Sequence, residues 1–263
     1  MELTVYHIDA FANKPFEGNP AAICPLTVWL PDELMQSIAA ENNLSETAFF
    51  VPTDQGYHIR WFTPLHEVKL CGHATLASAY VIFNILGCEE QQIAFESRSG
   101  ILTVTKIDDW LELDFPTKVP TVCSTPEQIL NAFSATPTEC LKADDYIVVF
   151  DNEADVAEAI PDIALLAQLD LRGVAITAKS LHYDFVTRFF APKHGLAEDP
   201  VTGSIFTELI PYWSEKLNKT ELTAKQISAR GGEVGCVYAG DRVKISGRAV
   251  QYLVGTIYIH NSR

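Results

Sequence analysis

One stretch of the chain occurs twice. Arg188-Phe189-Phe190-Ala191-Pro192-Lys193-His194 lies against Arg60-Trp61-Phe62-Thr63-Pro64-Leu65-His66 without a gap, at an offset of 128 residues (188 − 60). In each copy a loop follows, then a glycine, then an apolar segment: Gly72-His73 in the first and Gly203-Ser204 in the second. A further echo sets Ser97-Arg98-Ser99-Gly100 against Ala229-Arg230-Gly231-Gly232, at an offset of 132 (230 − 98), so the repeat is sustained over most of each half. Self-similarity at a long, nearly fixed offset is what internal duplication leaves behind. The chain is therefore expected to form two related halves, with its chemistry where the two copies face each other.

The first half reads as mostly strand. Leu3 to Phe11, Ala21 to Cys24, Leu44 to Val51 and Tyr57 to Phe62 are rich in β-branched and aromatic residues. Pro31-Asp32 opens a helix that Asn42-Asn43 closes, with Leu34, Ile38 and Ala39 at helical spacing. His73 to Leu86, HATLASAYVIFNIL, is apolar nearly all round, the pattern of a helix buried on every side, and Gly87 is a natural stop. Further strands are expected at Phe95, Leu102 to Val104 and Leu111 to Phe115, and Pro116 to Pro126 is read as the crossover. The second half repeats the order: strands at Tyr146 to Phe150, Gly173 to Ala178 and Tyr183 to Phe190, a helix over Ile163 to Leu169, and a loop from Ala191 to Gly203. A second apolar helix, Ser204 to Trp213, is perturbed by Pro211. Strands at Val234 to Tyr238, Arg242 to Ile245 and Gln251 to Ile259 end the chain. The physical solution for each half is an α+β unit, a curved sheet wrapped around one buried helix.

Composition narrows the function. With 263 residues and 48% hydrophobic side chains, the chain can bury a sizeable core. A formal net charge of −15 argues against nucleic acid and against an anionic membrane surface as partners. Six scattered cysteines without a C-x-x-C pair read as reduced thiols of a cytoplasmic protein. The N-terminus lacks a signal-peptide pattern, and Ala74 to Leu86 is too short to span a bilayer.

The two glycine-led helices come first among the candidate sites. Helix N-termini present free N–H groups and the positive end of the dipole, and hold carboxylates or phosphates. The alternative is that Gly72 and Gly203 only ease packing, with His73 and Ser204 as caps; the repetition favours the anion site. Glu46, among Leu44, Ala48, Phe49 and Phe50, sits where burial raises a carboxylate pKa and suits proton transfer, or else faces solvent at a strand edge. Asp199, in Glu198-Asp199-Pro200-Val201-Thr202-Gly203-Ser204, is either a turn former or a second acid/base. His58, His66 and His73 lack compact metal-ligand spacing, and no metal is expected. No serine-hydrolase elbow, dinucleotide fingerprint or phosphate loop occurs, and no lysine is singled out for pyridoxal phosphate, so no cofactor is expected.

An ordered set of short motifs resembles the PhzF family of phenazine-biosynthesis-like isomerases. The pieces are Asp9-Ala10-Phe11, Gly18-Asn19-Pro20-Ala21-Ala22, Leu44-Ser45-Glu46-Thr47-Ala48-Phe49, Arg60-Trp61-Phe62-Thr63-Pro64, Cys71-Gly72-His73-Ala74-Thr75, Glu198 to Ser204 and Arg230-Gly231-Gly232. The resemblance implies the diaminopimelate-epimerase-like fold: α+β, two pseudo-symmetric domains, each a curved β-barrel-like sheet around a central helix, with the active site between them. Domains are expected at 1–118 and 119–249, with the last strand, 250–263, returning to the first. By the same resemblance Glu46 matches the catalytic glutamate, and His73 and Asp199 are the other catalytic candidates. Ser45, Gly72, Gly203 and Ser204 match substrate-binding positions. The implied chemistry is cofactor-independent isomerisation, as of a dihydro-hydroxyanthranilate, by a homodimer acting on a small carboxylate.

Two departures from the family pattern bear on the substrate. Gly203-Ser204 continues as Ile205-Phe206-Thr207 where the family often has Ala-His-Cys. Related epimerases use two thiols; Cys71 stands near the first position, but Asp199-Pro200 stands at the second, which disfavours a two-cysteine racemase. Cys71 alone reads as a small buried hydrophobe. The alternatives are a racemase or epimerase of an amino-acid-like substrate, which needs two bases flanking one carbon, and a non-catalytic metabolite-binding protein.

Overall fold

The computed structural model describes residues 1–259. It divides into two compact units, one formed by Met1–Asp114 with the segment from Ser246 onward, the other by Phe115–Ile245. In chain order the first unit holds β1 (Glu2–Ala10), β2 (Asn19–Pro25), α1 (Asp32–Asn42), β3 (Glu46–Thr53), β4 (Gly56–Phe62), the two-residue β5 (Glu67–Val68), α2 (Gly72–Tyr80), β6 (Gln92–Ser97), β7 (Gly100–Ile107) and β8 (Trp110–Pro116). The second holds β9 (Thr121–Val122), α3 (Glu127–Ala132), β10 (Glu139–Lys142), β11 (Tyr146–Val149), α4 (Glu153–Ala157), α5 (Ile163–Leu166), β12 (Val174–Lys179), β13 (Phe185–Ala191), β14 (Leu196–Asp199), α6 (Phe206–Leu217), β15 (Glu221–Gln226), β16 (Gly232–Tyr238) and β17 (Arg242–Gly247). The chain then re-enters the first unit as β18 (Ala249–Tyr258). Of the C-terminal segment 250–263, the last four residues lie outside the described residues. No helix among the described residues is long and apolar enough to cross a membrane.

The duplication reads directly in the strand pairing. In the first unit β1–β2 is antiparallel, β2–β3 parallel, β3–β4 antiparallel, β4–β6 parallel and β6–β7 antiparallel. In the second, β10–β11, β11–β12, β12–β13, β13–β15 and β15–β16 repeat those five senses in the same order. A short strand folds back on β4 as β5 and on β13 as β14. β18 extends the first unit by pairing antiparallel with β1. Between β1 and β2 the chain reverses through Gly18, whose φ is +66° and where a Cβ would lie 2.1 Å from the carbonyl oxygen of Ala10. Only glycine permits both the left-handed backbone and that approach.

Each unit is built on one buried helix. α2 packs on β1, β2, β3 and β18, and every residue from Gly72 to Ala79 is buried. Its small residues admit close strands, and its hydroxyls bond to its own backbone: Thr75 Oγ1 to Cys71 O at 2.6 Å and Ser78 Oγ to Ala74 O at 2.7 Å. The helix is shorter than its apolar run, giving way to one π-helical turn over Val81–Ile85 before Gly87. α6 is buried from Phe206 to Ser214, with Trp213 stacked on Phe185 and donating to Thr177 Oγ1 at 3.0 Å. Pro211 cannot donate to Thr207 O four residues back; the freed carbonyl accepts from Lys118 N at 3.0 Å instead. The helix therefore runs through its proline to Leu217, past the Trp213 at which the sequence pattern stops.

Several elements were not visible as patterns. The stretch Pro116 to Pro126 contains β9, and the stretch Ala191 to Gly203 contains β14 rather than loop alone. α6 begins at Phe206, not at Ser204, because Gly203–Ile205 forms a 3-10 turn closed by Ile205 N to Thr202 O at 3.3 Å. The short α3 and α4 and the strand β15 are set by tertiary packing, since helices this short are not stable alone.

The repeated arginine explains why the duplicated motif begins where it does. Arg60 on β4 donates through Nε and Nη2 to both oxygens of Glu67, at 2.8 and 2.8 Å, and through Nη1 to Asp32 at the start of α1 at 2.8 Å. Arg188 on β13 makes the same bidentate pair with Glu198, at 2.7 and 2.9 Å, while its Nη1 donates to the carbonyls of Val156, Ala157 and Ala159 at the end of α4. Each guanidinium also lies over the aromatic ring two residues on, Phe62 at 5.1 Å and Phe190 at 5.2 Å. Replacing Arg188 by Met is expected to lower stability by about 3 kcal/mol, because it strands a largely desolvated carboxylate and removes the cap of α4. Urea unfolding of the variant beside Arg188→Lys checks this; Lys keeps the charge but not the fork and should recover only part of the loss.

A second buried carboxylate group lies in the second unit. Glu208 on α6 is 1% exposed; its Oε2 accepts from Asp145 N at 3.4 Å, and Oε1 finds no hydrogen-bond partner. Asp145 is fully buried and paired in bidentate fashion with Arg172. Burial, reinforced by the charge of Asp145, pushes the Glu208 carboxyl up to about 8, from 4.5. A raised folded-state pKa contributes stability that is fully present below about pH 4.5, declines as pH rises and is gone above about pH 8. The Glu208→Gln variant is expected to overtake the wild type as pH rises from 5 to 9, by on the order of 3 kcal/mol at the upper end. Urea midpoints of the two proteins across that range measure it.

Candidate active site

In the first unit three polar side chains, Glu46, Cys71 and His73, converge. β3 runs parallel to β2 with Glu46 opposite Ala21, so Glu46 is the first residue of a strand that is buried from Thr47 to Val51. The clamp between Arg60 and Glu67 fixes the loop that delivers Cys71 to the N-cap of α2, in extended conformation, with no side-chain cap on the helix and no acidic residue in its first turn. Gly72 and His73 are then the first two residues of α2, both buried. Ser45 lies half-buried beside Glu46 in the turn before β3.

The geometry is compact. Glu46 Oε2 lies 3.3 Å from His73 Nε2, and Cys71 Sγ lies 3.5 Å from His73 Nδ1. The side chains of His73 and Glu46 are 7% and 15% exposed. Burial holds the His73 ring far below its ordinary 6.5, at about 3, so it is neutral at physiological pH. Its Nε2 makes no aligned hydrogen bond in spite of the nearby carboxylate. Most buried polar atoms in folded proteins are satisfied, so this nitrogen keeps capacity for a further hydrogen bond. The 15N shifts of the His73 ring are expected to stay those of a neutral imidazole from pH 8 down to about pH 4. A depressed pKa supplies stability that is present above pH 6.5 and lost as pH falls toward 3. A midpoint near 6.5 in the NMR titration would refute this description of the ring.

Glu46, Cys71 and His73 also place one donor atom each within 4.8 Å of one another, a set that sequence spacing did not reveal because the other histidines, His58 and His66, are not part of it. Thiolate, imidazole and carboxylate would suit a soft divalent cation. The positive end of α2, uncapped and opening at this place, opposes one and favours an anion. Cys71 thus stands inside the cluster rather than serving only as core filling.

The second unit presents a different polar cluster. Asp199 is buried as the last residue of β14, with the clamp of Arg188 on the preceding Glu198 fixing its approach. Thr202 Oγ1 donates to Asp199 Oδ2 at 2.5 Å. Gln226, fully buried at the end of β15, donates to Asp199 O at 2.7 Å and accepts from Thr202 N at 2.9 Å. Ser228 Oγ donates to Pro200 O at 2.7 Å and accepts from Gly231 N at 3.1 Å, which ties the Arg230-Gly231-Gly232 motif to the Asp-Pro step. Gly203 and Ser204 follow in the 3-10 turn, so Ser204 is not a helix cap; its carbonyl accepts from Thr207 Oγ1 at 2.7 Å. Gln226 and Thr202 were not singled out by the sequence, where a lone glutamine at a strand end and a threonine in a turn carry no signal.

The chain as a whole can be compared with known proteins. The family described as phenazine biosynthesis-like protein matches residues 8–255. The chain belongs to that family. An uncharacterized isomerase of Pseudomonas aeruginosa is 52% identical over 259 residues, covering 98% of this chain and all of the relative. The crystal structure of a PhzF-family phenazine biosynthesis protein from Enterococcus faecalis superposes with a TM-score of 0.97 at 45% identity, over 98% of this chain and 100% of that one. A probable proline racemase from Agrobacterium radiobacter, 10% identical, shares the fold with a TM-score of 0.63 over 99% of this chain and 93% of its own. The duplicated α+β architecture expected from the sequence is thus the fold of the PhzF family and of the wider racemase and epimerase group.

Proposed function

We propose that the protein is a cofactor-independent isomerase that moves a proton on a small carboxylate substrate, with Glu46 as the acid/base. The observation that carries this reading is the Glu46–His73 contact at 3.3 Å, beside a neutral ring whose Nε2 lacks an aligned partner. A neutral imidazole donates or accepts a hydrogen bond without competing with Glu46 for charge, which leaves the carboxylate as the local base. The uncapped start of α2 at Gly72 supports binding of the substrate's carboxylate, and Ser45 supplies a hydroxyl beside Glu46. Asp199, with Gly203 and Ser204 following it, enters as the second proton-transfer and binding group through the family motif. Its bond from Thr202 fixes the orientation of one carboxylate oxygen. That close relatives bear the name isomerase supports the same reaction class. A homodimer fits the exposed apolar side chains of β18, Tyr252, Leu253, Val254 and Tyr258.

Proton exchange in heavy water tests the proposal. The protein is incubated with dihydroanthranilate-type and amino-acid carboxylates, and deuterium incorporation is read by mass spectrometry. Glu46→Gln, checked for folding, is expected to lose about a hundredfold or more of the exchange rate. The labelled carbon distinguishes transfer to a new position from inversion at one carbon, the mark of a racemase. Equal exchange by wild type and Glu46→Gln would remove Glu46 from the chemistry, and binding of a carboxylate without exchange would make the protein a metabolite-binding one.

A further inference from the structure

Away from these clusters, two thiols of the second unit face each other. β9 pairs antiparallel with β10 through Thr121↔Lys142 and Val122↔Leu141. Cys123 and Cys140 continue that register by one residue, with Cys123 N donating to Cys140 O at 2.9 Å. Directly opposed residues of an antiparallel pair have Cα atoms about 4.5–5.5 Å apart, within the span a disulfide bridges. Here the sulfurs are 3.7 Å apart. Cys140 is buried in the core cluster that also holds Ile129, Ala132 and Phe133, whereas Cys123 is only partly buried at its margin. Cys24, Cys71 and Cys236 are buried.

We propose that Cys123 and Cys140 form an oxidative modification site, which a hydroperoxide converts to an intramolecular disulfide. In the first step the Cys123 thiolate attacks the peroxide oxygen; the O–O bond breaks, water or an alcohol leaves, and Cys123 becomes a sulfenic acid. The Cys140 sulfur then attacks Cys123 Sγ; the S–O bond breaks, the S–S bond forms, and the Cys140 proton leaves with the hydroxyl as water. The two thiols together lose two electrons and the peroxide gains them. Exposure assigns the roles: the peroxide reaches Cys123, and Cys140 resolves. Burial and the neighbouring sulfur push the Cys140 thiol up to about 12, which keeps it protonated until it is used. The bridge would close the chain around α3 and fasten the entering strand to the core of the unit.

The full-length protein, reduced and then freed of reductant, is treated with hydrogen peroxide, and remaining thiols are alkylated. The tryptic peptide 119–142 carries both cysteines and no other. It is expected to lose the mass of two hydrogen atoms and to escape alkylation, with capture of the Cys123 sulfenic acid about tenfold or more faster than its further oxidation, because the second step is intramolecular. Dithiothreitol should restore both thiols. In Cys140→Ser the sulfenic acid at Cys123 has no resolving partner, so that peptide should gain oxygen instead. The proposal is overturned if wild-type Cys123 gains two or three oxygen atoms while Cys140 stays alkylatable, if both thiols outlast Cys88, or if the bridge that forms joins a different pair.

Discussion

The bidentate pairing of one arginine with one glutamate, made once in each unit, is the constraint on which the rest of the structure depends. Arg60 holds Glu67 and Arg188 holds Glu198 through the same two nitrogens at nearly the same distances. Each clamp pins the segment that folds back on a central strand just before the polar cluster of its unit. In the first, the fixed segment leads to Cys71 and the start of α2; in the second it leads straight to Asp199. A guanidinium suits this task because its planar fork fixes direction as well as distance, and its face still packs on Phe62 or Phe190. The third nitrogen of each arginine reaches a peripheral helix, α1 through Asp32 and α4 through its last carbonyls. Strand, approach loop and outer helix are thereby tied to one partly buried charge.

The buried helices show how a polar backbone and a few polar side chains are accommodated in a core. α2 carries no charge from Gly72 to Tyr80 except the neutralised His73, and its hydroxyls are satisfied one turn back. α6 is less economical. It contains a proline whose missing donor is replaced by Lys118 from outside the helix, and a glutamate that stays protonated to near pH 8. The two helices thus occupy equivalent places in duplicated sheets while the first has kept a clean apolar surface and the second relies on compensation from its surroundings.

Most of the architecture was legible because duplication doubles every signal. The pair of Arg-aromatic-Phe-x-Pro stretches located both central strands, and the all-apolar runs located both core helices. What was missed has physical causes. β14 and β9 are short strands whose existence depends on a partner edge, which no local pattern encodes. The retreat of α6 to Phe206 follows from the 3-10 turn that Thr202 closes, and a glycine before an apolar run gives no hint of it. Glu46, His73 and Asp199 were legible only as members of an ordered motif set; taken singly, each had an ordinary structural reading. Gln226 could not be read at all, since its importance lies in reaching from β15 to the Asp199 carbonyl and the Thr202 amide, 27 and 24 residues away in sequence.

The two polar clusters differ in a way that bears on how such a duplicated chain divides its chemistry. Asp199 is held within its own loop: Thr202 donates to its Oδ2 and Gln226 to its backbone carbonyl, so side chain and main chain are both fixed at this position. Glu46 stands instead 3.3 Å from Nε2 of a ring that burial keeps uncharged. A neutral neighbour does not compete with a carboxylate for charge, whereas a hydroxyl bonded to one of its oxygens fixes its orientation. The asymmetry between the clusters lies in what surrounds each carboxylate: a neutral ring beside Glu46, a hydroxyl and a buried side-chain amide at Asp199.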